Sequence, residues 1–356
     1  MSLEIGIVGL PNVGKSTLFN SLTKAKVPAE NYPFCTIDPN IGLVPIPDQR
    51  LFQLAKIIKP DKLTQAMIKF VDIAGLVKGA NKGEGLGNQF LDNIRKVDAI
   101  VHVVRAFNDP EIINTIGKVD PLAEAEVVET ELLLADLQTM ENRLEKTARM
   151  LKTGEQKYKD EYNTYQKIKE ALEEGIPVRN IEIPIPRDLD LLTNKPMIYV
   201  ANIDDDYSED ILAGLKEKAA KDNASVIPIP VRLEAEITEL AEQEQKEFME
   251  EYGIKELGLH KIVISGLKLL DLITFYTIKG PETRAWLVKQ RTKAPEAASK
   301  IHSDMERGFI RAEVVSFKTL ITEGSMASVK ERGLLRSEGR DYEIEDGDVV
   351  LFRFNV

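Results

Sequence analysis

Short apolar runs alternate with helical patterns along the first two thirds of the chain. Five runs have the length of buried strands, and most are apolar on both faces, which is typical of strands covered by helices on both sides. They lie at residues 3–8, 66–72, 98–104, 197–201 and 225–229. Because strands and helices alternate, the pattern predicts an α/β fold with a doubly wound, mostly parallel sheet.

The interval between the runs at 98–104 and 197–201 is about 90 residues, far more than one crossover helix requires. Within it, two series of apolar and aromatic residues advance in steps of three and four. The first series is Leu133, Leu137, Met140, Leu144, Ala148 and Leu151, and the second is Tyr158, Tyr162, Tyr165, Ile168 and Leu172. They predict an inserted antiparallel αα-hairpin, which is either a solvated arm or a partner-binding arm.

The pattern changes again near residue 272. Short segments that alternate like antiparallel strands surround one helix-like segment, APEAASKIHSDMERG. This arrangement predicts a separate small α+β domain at the end of the chain. The predicted division is a sheet domain (1–127 and 196–271), a helical hairpin (128–195) and a C-terminal domain (272–356).

Composition narrows the class of protein. The net charge of −11 argues against a general nucleic-acid binder, so we expect no DNA partner. No apolar run approaches the ~18–20 residues that a membrane span needs, and residues 1–9 lack the pattern of a signal peptide. The single cysteine, Cys35, rules out an internal disulfide and fits a reducing cytoplasm.

Residues 9–16, GLPNVGKS, fit the phosphate-binding pattern G-x-x-x-x-G-K-[ST] between a strand and a helix. The glycines allow backbone N–H groups to turn towards phosphates, and the helix N-terminus adds a favourable field. We expect Lys15 to reach the outer phosphates as a catalytic residue and the Ser16 hydroxyl to coordinate Mg²⁺. The predicted nucleotide-binding residues here are Asn12, Val13, Gly14, Lys15, Ser16 and Thr17.

Residues 72–75, DIAG, end the strand at 66–72 and supply the second half of the site. Asp72 is expected in the Mg²⁺ shell, and the Gly75 amide is expected to contact the γ-phosphate as a catalytic group. Between the two motifs, Thr36 is the candidate second hydroxyl ligand and catalytic residue, the alternative being a turn threonine. The predicted metal ligands are therefore Ser16, Thr36 and Asp72.

No side chain that positions the attacking water is evident in these motifs. Many GTPases carry glutamine where this chain has Leu76, which neither donates nor accepts a hydrogen bond, so turnover is expected to be slow. Asn12 is a candidate ligand for K⁺, whose charge would sit where an arginine finger acts. The alternative is that Asn12 only caps the backbone of the phosphate loop.

The strand at 197–201 runs into Asn202, Ile203, Asp204 and Asp205, where the base is read. Guanine readers have Asn-Lys-x-Asp, whereas Asn202 and Ile203 suit either purine. A carboxylate at residue 205 aimed at the base favours guanine, because adenine presents an acceptor at N1. The missing lysine favours ATP, and in that case Asp205 is expected to be turned away from the base. The alternative is GTP.

Five segments together resemble the Obg-like ATPases of the YchF type, over residues 4–356. They are GLPNVGKSTLFN, NYPFCTI, FVDIAGLVKGANKGEGLGNQFL, HVVRAF and RAWLV…IHSDMERGFIRAEV. The resemblance implies a C-terminal β-grasp domain similar to TGS domains, ATP hydrolysis in preference to GTP, cytoplasmic residence, and binding to ribosomes or ribosomal RNA. The chain departs from the family pattern at three places. It has Asp205 where the family usually has glutamate, and residues 230–232 also differ. Asn114 stands where the family has a histidine that is proposed to help the attacking water.

The C-terminal domain carries a group of basic residues around the single tryptophan, Trp286. The group consists of Arg284, Lys289, Arg291 and Lys293. Such a group can hold phosphates while the indole stacks on a base of RNA. Strand alternation would bury one face of this segment, however, which favours a place for Trp286 in the domain core.

The sequence therefore predicts a Mg²⁺-dependent P-loop ATPase that acts as a slow nucleotide switch on the ribosome or another translation component. The alternative within enzymes is an Obg-type GTPase. The alternative from another class is a ribosome- or RNA-docking module in which the nucleotide has a structural role.

Overall fold

The computed structural model describes residues 3–24, 40–74, 86–204 and 206–355. The strands are β1 (Glu4–Val8), β2 (Ile41–Pro45), β3 (Lys62–Thr64), β4 (Met67–Asp72), β5 (Ala99–Ala106), β6 (Met197–Ile203), β7 (Val226–Ile229), β8 (Leu272–Lys279), β9 (Glu282–Lys289), β10 (Phe309–Ser316), β11 (Arg336–Glu338) and β12 (Asp348–Phe354). The helices are α1 (Lys15–Thr23), α2 (Gln49–Ile58), α3 (Leu86–Lys96), α4 (Pro121–Met150), α5 (Gln156–Glu173), α6 (Ala213–Lys221), α7 (Val231–Glu239), α8 (Glu242–Glu251), α9 (Gly258–Leu269), α10 (Ala294–Ser299), α11 (Ser303–Arg307), α12 (Phe317–Glu323) and α13 (Met326–Glu331).

The described residues form two compact units. The first consists of 3–24, 40–42, 69–74, 86–204 and 206–262, and the second of 43–68 and 263–355. The hairpin packs as part of the first unit. The predicted division into three parts stays a prediction. The packing also groups residues 43–68, predicted to lie in the sheet domain, with the C-terminal residues.

A six-stranded sheet with the order β2-β4-β1-β5-β6-β7 organises the first unit. The pairs β1–β4, β1–β5, β5–β6 and β6–β7 are parallel. The five predicted strands are all present, β2 adds an edge strand, and the predicted doubly wound α/β fold is confirmed. Because these paired strands are parallel, β1, β4, β5 and β6 present their carboxyl ends at one edge, where ligands of such sheets bind.

The predicted helical hairpin is confirmed as α4 and α5. A short 3₁₀ turn and Gly154, in the left-handed conformation with φ 77°, join the two helices. Tyr165, Ile168 and Leu172 of α5 are buried in one cluster with Met140 of α4. The heptad-like spacing in the sequence therefore corresponds to the seam along which the two helices pack.

A buried carboxylate holds the returning chain of the hairpin against α4. Asp136 is 0% exposed, and it accepts hydrogen bonds from the backbone N–H groups of Leu192 at 2.8 Å and Thr193 at 2.7 Å. The Thr193 hydroxyl donates to the same carboxylate at 2.7 Å. Three donors thus compensate for the loss of water around Asp136.

The second unit contains a sheet with the order β11-β10-β12-β8-β9-β3. The hairpin β8–β9 is antiparallel, and the last strand, β12, pairs in parallel with β8. Phe275, Val314 and Phe352 of the sheet share a buried cluster with residues of α10 and α11. An initial hairpin, helices on one face and a last strand parallel to the first fit the predicted β-grasp arrangement.

Residues 43–68 add a helix and an edge strand to the second unit. β3 pairs in parallel with β9, and Arg50 of α2 donates to both carboxylate oxygens of Asp346, at 2.7 and 3.3 Å. The buried Tyr276 donates its hydroxyl hydrogen to Asp48, which also caps the N-terminus of α2. Every helix among the described residues is too short or too polar to span a lipid bilayer.

Replacing Asp136 by alanine is expected to lower the free energy of unfolding of the first unit by about 3 kcal/mol. The change leaves two buried N–H groups and the hydroxyl hydrogen of Thr193 without an acceptor, each costing roughly 1–3 kcal/mol before the structure relaxes. Glu145→Ala is the control, since the pair that Glu145 forms with Arg149, a described residue of the same helix, is exposed. Urea denaturation followed by circular dichroism measures both, and equal midpoints would contradict the assigned role of Asp136.

Candidate nucleotide-binding site

A cavity of about 900 Å³ lies in the first unit at the carboxyl edge of the sheet. Its walls come from the phosphate loop and α1, the loop after β5, the end of β6, and the start of α7. The predicted residues that line it are Asn12, Gly14, Lys15, Ser16, Thr17, Asn202 and Ile203. The volume is within the ~300–1,000 Å³ typical of small-molecule sites.

The glycines of the phosphate loop are required by the space around them. Gly14 has φ 99°, and a Cβ atom there would lie 2.5 Å from the side-chain nitrogen of Asn202. A Cβ atom at Gly9 would lie 2.3 Å from the Val103 carbonyl oxygen. The loop therefore passes against β5 and β6 with no space for side chains at either position.

Lys15 begins α1 and points back across the loop. Lys15 as a whole is 8% exposed, and its ammonium group donates to the Leu10 carbonyl at 2.7 Å. Burial lowers the pKa of Lys15, while the negative charges of Asp72 and Glu124 oppose that shift. The loop thus holds a desolvated cation beside its backbone N–H groups, which is the arrangement that phosphate binding needs.

Ser16 and Asp72 lie together at one end of the loop. The Ser16 hydroxyl donates to one carboxylate oxygen of Asp72 at 3.1 Å. The other oxygen, Oδ1, is buried and has no hydrogen-bond partner among the described residues. Two hard oxygen donors, one of them unsatisfied, fit a Mg²⁺ ion completed by water and phosphate oxygens. Thr36 and Gly75 lie outside the described residues.

Asn202 connects two walls of the cavity. Its side-chain nitrogen donates to the Val13 carbonyl at 3.0 Å, and its oxygen accepts from the Val231 N–H at 3.3 Å. An amide has two N–H donors and two acceptor lone pairs, so one of each remains for a base. Of the predicted residues, Val13 takes part through this carbonyl, and its side chain is buried. Asp205 lies outside the described residues.

The loop after β5, residues 107–113, was not predicted as part of the site. Phe107, Asn108, Asp109 and Ile112 line the cavity. The signal available in the sequence was position, since this loop follows a strand that ends at the same edge as the phosphate loop. The neighbouring Glu124 was also missed; burial raises its pKa to about 7.

The two asparagines considered for catalysis have different surroundings. Asn12 has φ 66°, and its side-chain nitrogen donates to the Ile113 carbonyl at 3.3 Å. Asn114 uses both ends of its amide inside its own turn, accepting from the Ile116 N–H and donating to the Lys118 carbonyl. Asn114 is therefore committed to loop structure, and Leu76 lies outside the described residues.

The basic group around Trp286 is partly engaged in internal contacts of the second unit. Trp286 is half-buried against the core, and its indole N–H donates to the Thr277 hydroxyl at 2.9 Å. The Arg284 guanidinium lies 4.0 Å from the centre of the indole ring, and Lys293 pairs with Asp341 at 2.7 Å. These contacts favour the core interpretation of Trp286.

Two protein-family models match the chain. Residues 4–136 match a family described as "50S ribosome-binding GTPase". Residues 272–355 match the family YchF-GTPase_C, described as "Protein of unknown function (DUF933)". The first match contains the phosphate loop, and the second corresponds to most of the second unit.

Curated relatives extend over the whole chain. The "Ribosome-binding ATPase YchF" of Bacillus subtilis (strain 168) is 48% identical over 366 residues, which cover 100% of both chains. The protein of the same name from Escherichia coli O157:H7 is 48% identical over 363 residues, again covering 100% of both chains.

Two solved structures also extend over nearly the whole chain. The "GTP binding protein from Pyrococcus horikoshii OT3" has a TM-score of 0.64 at 22% identity, covering 99% of this chain and 100% of its own, which shows the fold alone. The "Schizosaccharomyces pombe YchF GTPase" has a TM-score of 0.88 at 34% identity, covering 99% of this chain and 98% of its own. With relatives at this identity over its full length, the chain belongs to the YchF family of P-loop nucleotide-binding proteins.

Proposed function

We propose that this protein is a cytoplasmic, Mg²⁺-dependent ATPase that binds ribosomes and uses the nucleotide as a slow switch. The observation that carries the proposal is the Ser16–Asp72 pair with its unsatisfied buried oxygen, next to the desolvated ammonium of Lys15. The printed names of the curated relatives support ATP and the ribosome as ligands.

The phosphate half of the cavity accounts for binding of a triphosphate. Gly14 and the first turn of α1 offer backbone N–H groups, and the aligned peptide dipoles of the helix favour negative charge there. Lys15 exchanges the Leu10 carbonyl for a phosphate oxygen, a stronger partner because both groups are charged. Binding energy is thereby concentrated on the phosphates.

Ser16 and Asp72 are the described residues that would hold Mg²⁺, with Thr36 proposed as a further ligand. When bound, the ion neutralises charge that develops on the transferred phosphoryl group. The proposed contact of the Gly75 amide with the γ-phosphate acts on the same group. The contribution of the described residues is to hold Ser16 and Asp72 together before the substrate arrives.

The base half of the cavity accepts a purine without choosing between adenine and guanine. Phe107, Ile203 and Leu233 provide apolar surface, and Asn202 retains one donor and one acceptor for either base edge. We propose ATP because of the printed names of the curated relatives and the absent lysine at residue 203. GTP is the second candidate, favoured by an aspartate at residue 205 and by the printed name of the fission-yeast structure.

Hydrolysis in the presence and absence of ribosomes tests the proposed switch. Single-turnover measurements with purified ribosomes are expected to show a faster rate than the protein alone. A docking module with a structural nucleotide would instead change its ribosome affinity with nucleotide and show no turnover. Lys15→Ala, which removes the phosphate-contacting ammonium, is expected to abolish hydrolysis in both conditions.

The intrinsic rate of hydrolysis is expected to lie below the ~1–100 s⁻¹ common in kinases. At equal ionic strength, the rate in K⁺ is expected to exceed the rate in Na⁺. We propose that the oxygen of the Asn12 side chain holds the ion. Asn12→Gly removes that oxygen and keeps the left-handed backbone, so it should remove the preference for K⁺. Asn223→Gly is the matched control, since Asn223 also has a positive φ, 54°. Equal wild-type rates in the two salts would contradict the ion site.

ATP is expected to displace a fluorescent ATP analogue at a lower concentration than GTP. Competition titrations with unlabelled ATP and GTP measure this directly. Displacement by GTP at about tenfold lower concentration, or about 1.4 kcal/mol, would overturn the proposed substrate. In that case Asp205→Ala should abolish the preference for GTP, whereas Asp206→Ala, the adjacent control, should leave it unchanged.

We propose that the exposed Arg291 and Lys293 contact ribosomal RNA. Replacing both with glutamate is expected to weaken cosedimentation with ribosomes and to reduce its dependence on salt, because fewer counterions are released. The control is Lys221→Glu with Lys255→Glu, which changes the net charge equally at exposed positions of the first unit. Identical salt profiles for wild type and the Arg291/Lys293 variant would remove this contact.

A further inference from the structure

One wall of the cavity is a loop without regular secondary structure. Residues 107–113 follow β5, and four of them line the cavity, including Phe107 and Asp109. A segment of this kind has many accessible conformations, so a binding wall made from it must be fixed by contacts outside the loop. Three of the described contacts that fix it come from one side chain, Arg105.

Arg105 is the penultimate residue of β5 and is only 3% exposed. Its guanidinium donates to three loop carbonyls: Nε to Phe107 at 3.1 Å, Nη1 to Ile112 at 3.0 Å, and Nη2 to Asp109 at 2.9 Å. The guanidinium carbon also lies 4.4 Å from the centre of the Phe107 ring. A planar group with several fixed donors can hold carbonyls from both ends of a loop at once.

Arg105 is itself fixed by its neighbours in the sheet and in α4. In the register of the sheet it lies beside Asn202, the residue that connects two walls of the cavity. Its backbone N–H donates to a carboxylate oxygen of Glu124 at 2.7 Å, and Glu124 is 1% exposed. The guanidinium therefore projects from a rigid strand end, and the loop is arranged around it.

Two further contacts hold the same loop from the cavity side. The Asn108 N–H donates to the Asp204 carboxylate at 2.9 Å, and the Ile113 carbonyl accepts from Asn12 at 3.3 Å. Both Asp204 and Asn12 line the cavity and would adjust to a ligand, whereas Arg105 contacts the loop from its buried side. Arg105 thus bonds the loop without itself lining the cavity.

We propose that Arg105 is a positioning residue for nucleotide binding: it holds residues 107–113 in the conformation that forms the base-side wall of the cavity. The inference rests on the proposed function, because it assigns the cavity to a nucleotide. The Arg105 guanidinium bonds carbonyls of the loop and does not line the cavity, so its loss should reduce the fraction of molecules in the binding-competent conformation. The apparent dissociation constant rises in proportion to that loss.

Arg105→Met tests the proposal by removing the donors while keeping an unbranched apolar side chain. If the loop is then competent about one tenth of the time, the dissociation constant for ATP rises about tenfold. The single-turnover rate at saturating ATP should change less than about twofold, because the bound geometry is restored. Arg105→Lys keeps the charge but cannot reach three carbonyls together. Its dissociation constant for ATP should therefore lie between those of the wild type and Arg105→Met.

Arg143→Met is the matched control. Arg143 also donates to a backbone carbonyl, that of Asp188 at 2.8 Å, but it lies on the hairpin and does not line the cavity. Its dissociation constant for ATP should equal that of the wild type. Equilibrium titration gives the dissociation constants, and quenched-flow gives the rates. Hydrogen exchange of the backbone amides of residues 108, 109 and 111–113 reports on the loop directly, residue 110 being proline.

Faster exchange of these amides in Arg105→Lys, together with the affinity loss, would support the proposal. If Arg105→Met does not fold, Arg105→Lys carries the test alone. Wild-type affinity and unchanged amide exchange in either folded variant would overturn it, as would an equal affinity loss in Arg143→Met. Failure of the proposed function is distinguishable in the wild-type protein itself, which would then either bind neither ATP nor GTP or bind nucleotide without turnover.

Discussion

The side-chain amide of Asn202 is the contact on which the arrangement of the cavity depends. It stands at the carboxyl end of β6 and bonds the phosphate loop at Val13 on one side and the start of α7 at Val231 on the other. Because it is 8% exposed, loss of these bonds would leave buried backbone groups without partners. Gly14 fits only because it has no side chain to meet this amide.

Buried charges fix the root of the hairpin on the sheet. Arg179 donates to both Glu129 of α4 and Asp222 at the end of α6. Lys218 pairs with the same two carboxylates, and the Tyr199 hydroxyl donates to Asp222 at 2.9 Å. A buried network of this kind adds little net stability over an apolar core, but breaking one partner is costly. Its effect is to specify one orientation for the hairpin relative to the strands.

The parts of the molecule that sequence reasoning recovered are those with a periodic or motif signal. The sheet follows from runs such as the one that became β5, and the hairpin follows from a seam that includes Met140 and Tyr165. The wall at 107–113 was missed because its determinants are bonds from Arg105 to carbonyl oxygens, which every residue carries. Composition therefore gives no sign of which carbonyls will be used.

Long-range pairing is the other feature that the sequence pattern does not reveal. β3 is three residues long and lacks alternation, and its partner strand β9 lies more than two hundred residues later in the chain. No local pattern announces such a pair, since a short edge strand is defined by its neighbour. Trp286 shows the converse case, because strand alternation alone already favoured its burial over an exposed stacking role.

The position of β3 and α2 also determines what a gene fragment of this protein can encode. A fragment that begins at residue 272, where the C-terminal family model starts, would omit the strand that covers the edge of β9. It would also omit Asp48 and Arg50, the partners of Tyr276 and Asp346. Such a polypeptide would expose an open sheet edge and a buried tyrosine without its acceptor, the features that lead to aggregation. A stable C-terminal fragment would therefore have to include residues 43–68, which precede it in the chain by some two hundred residues.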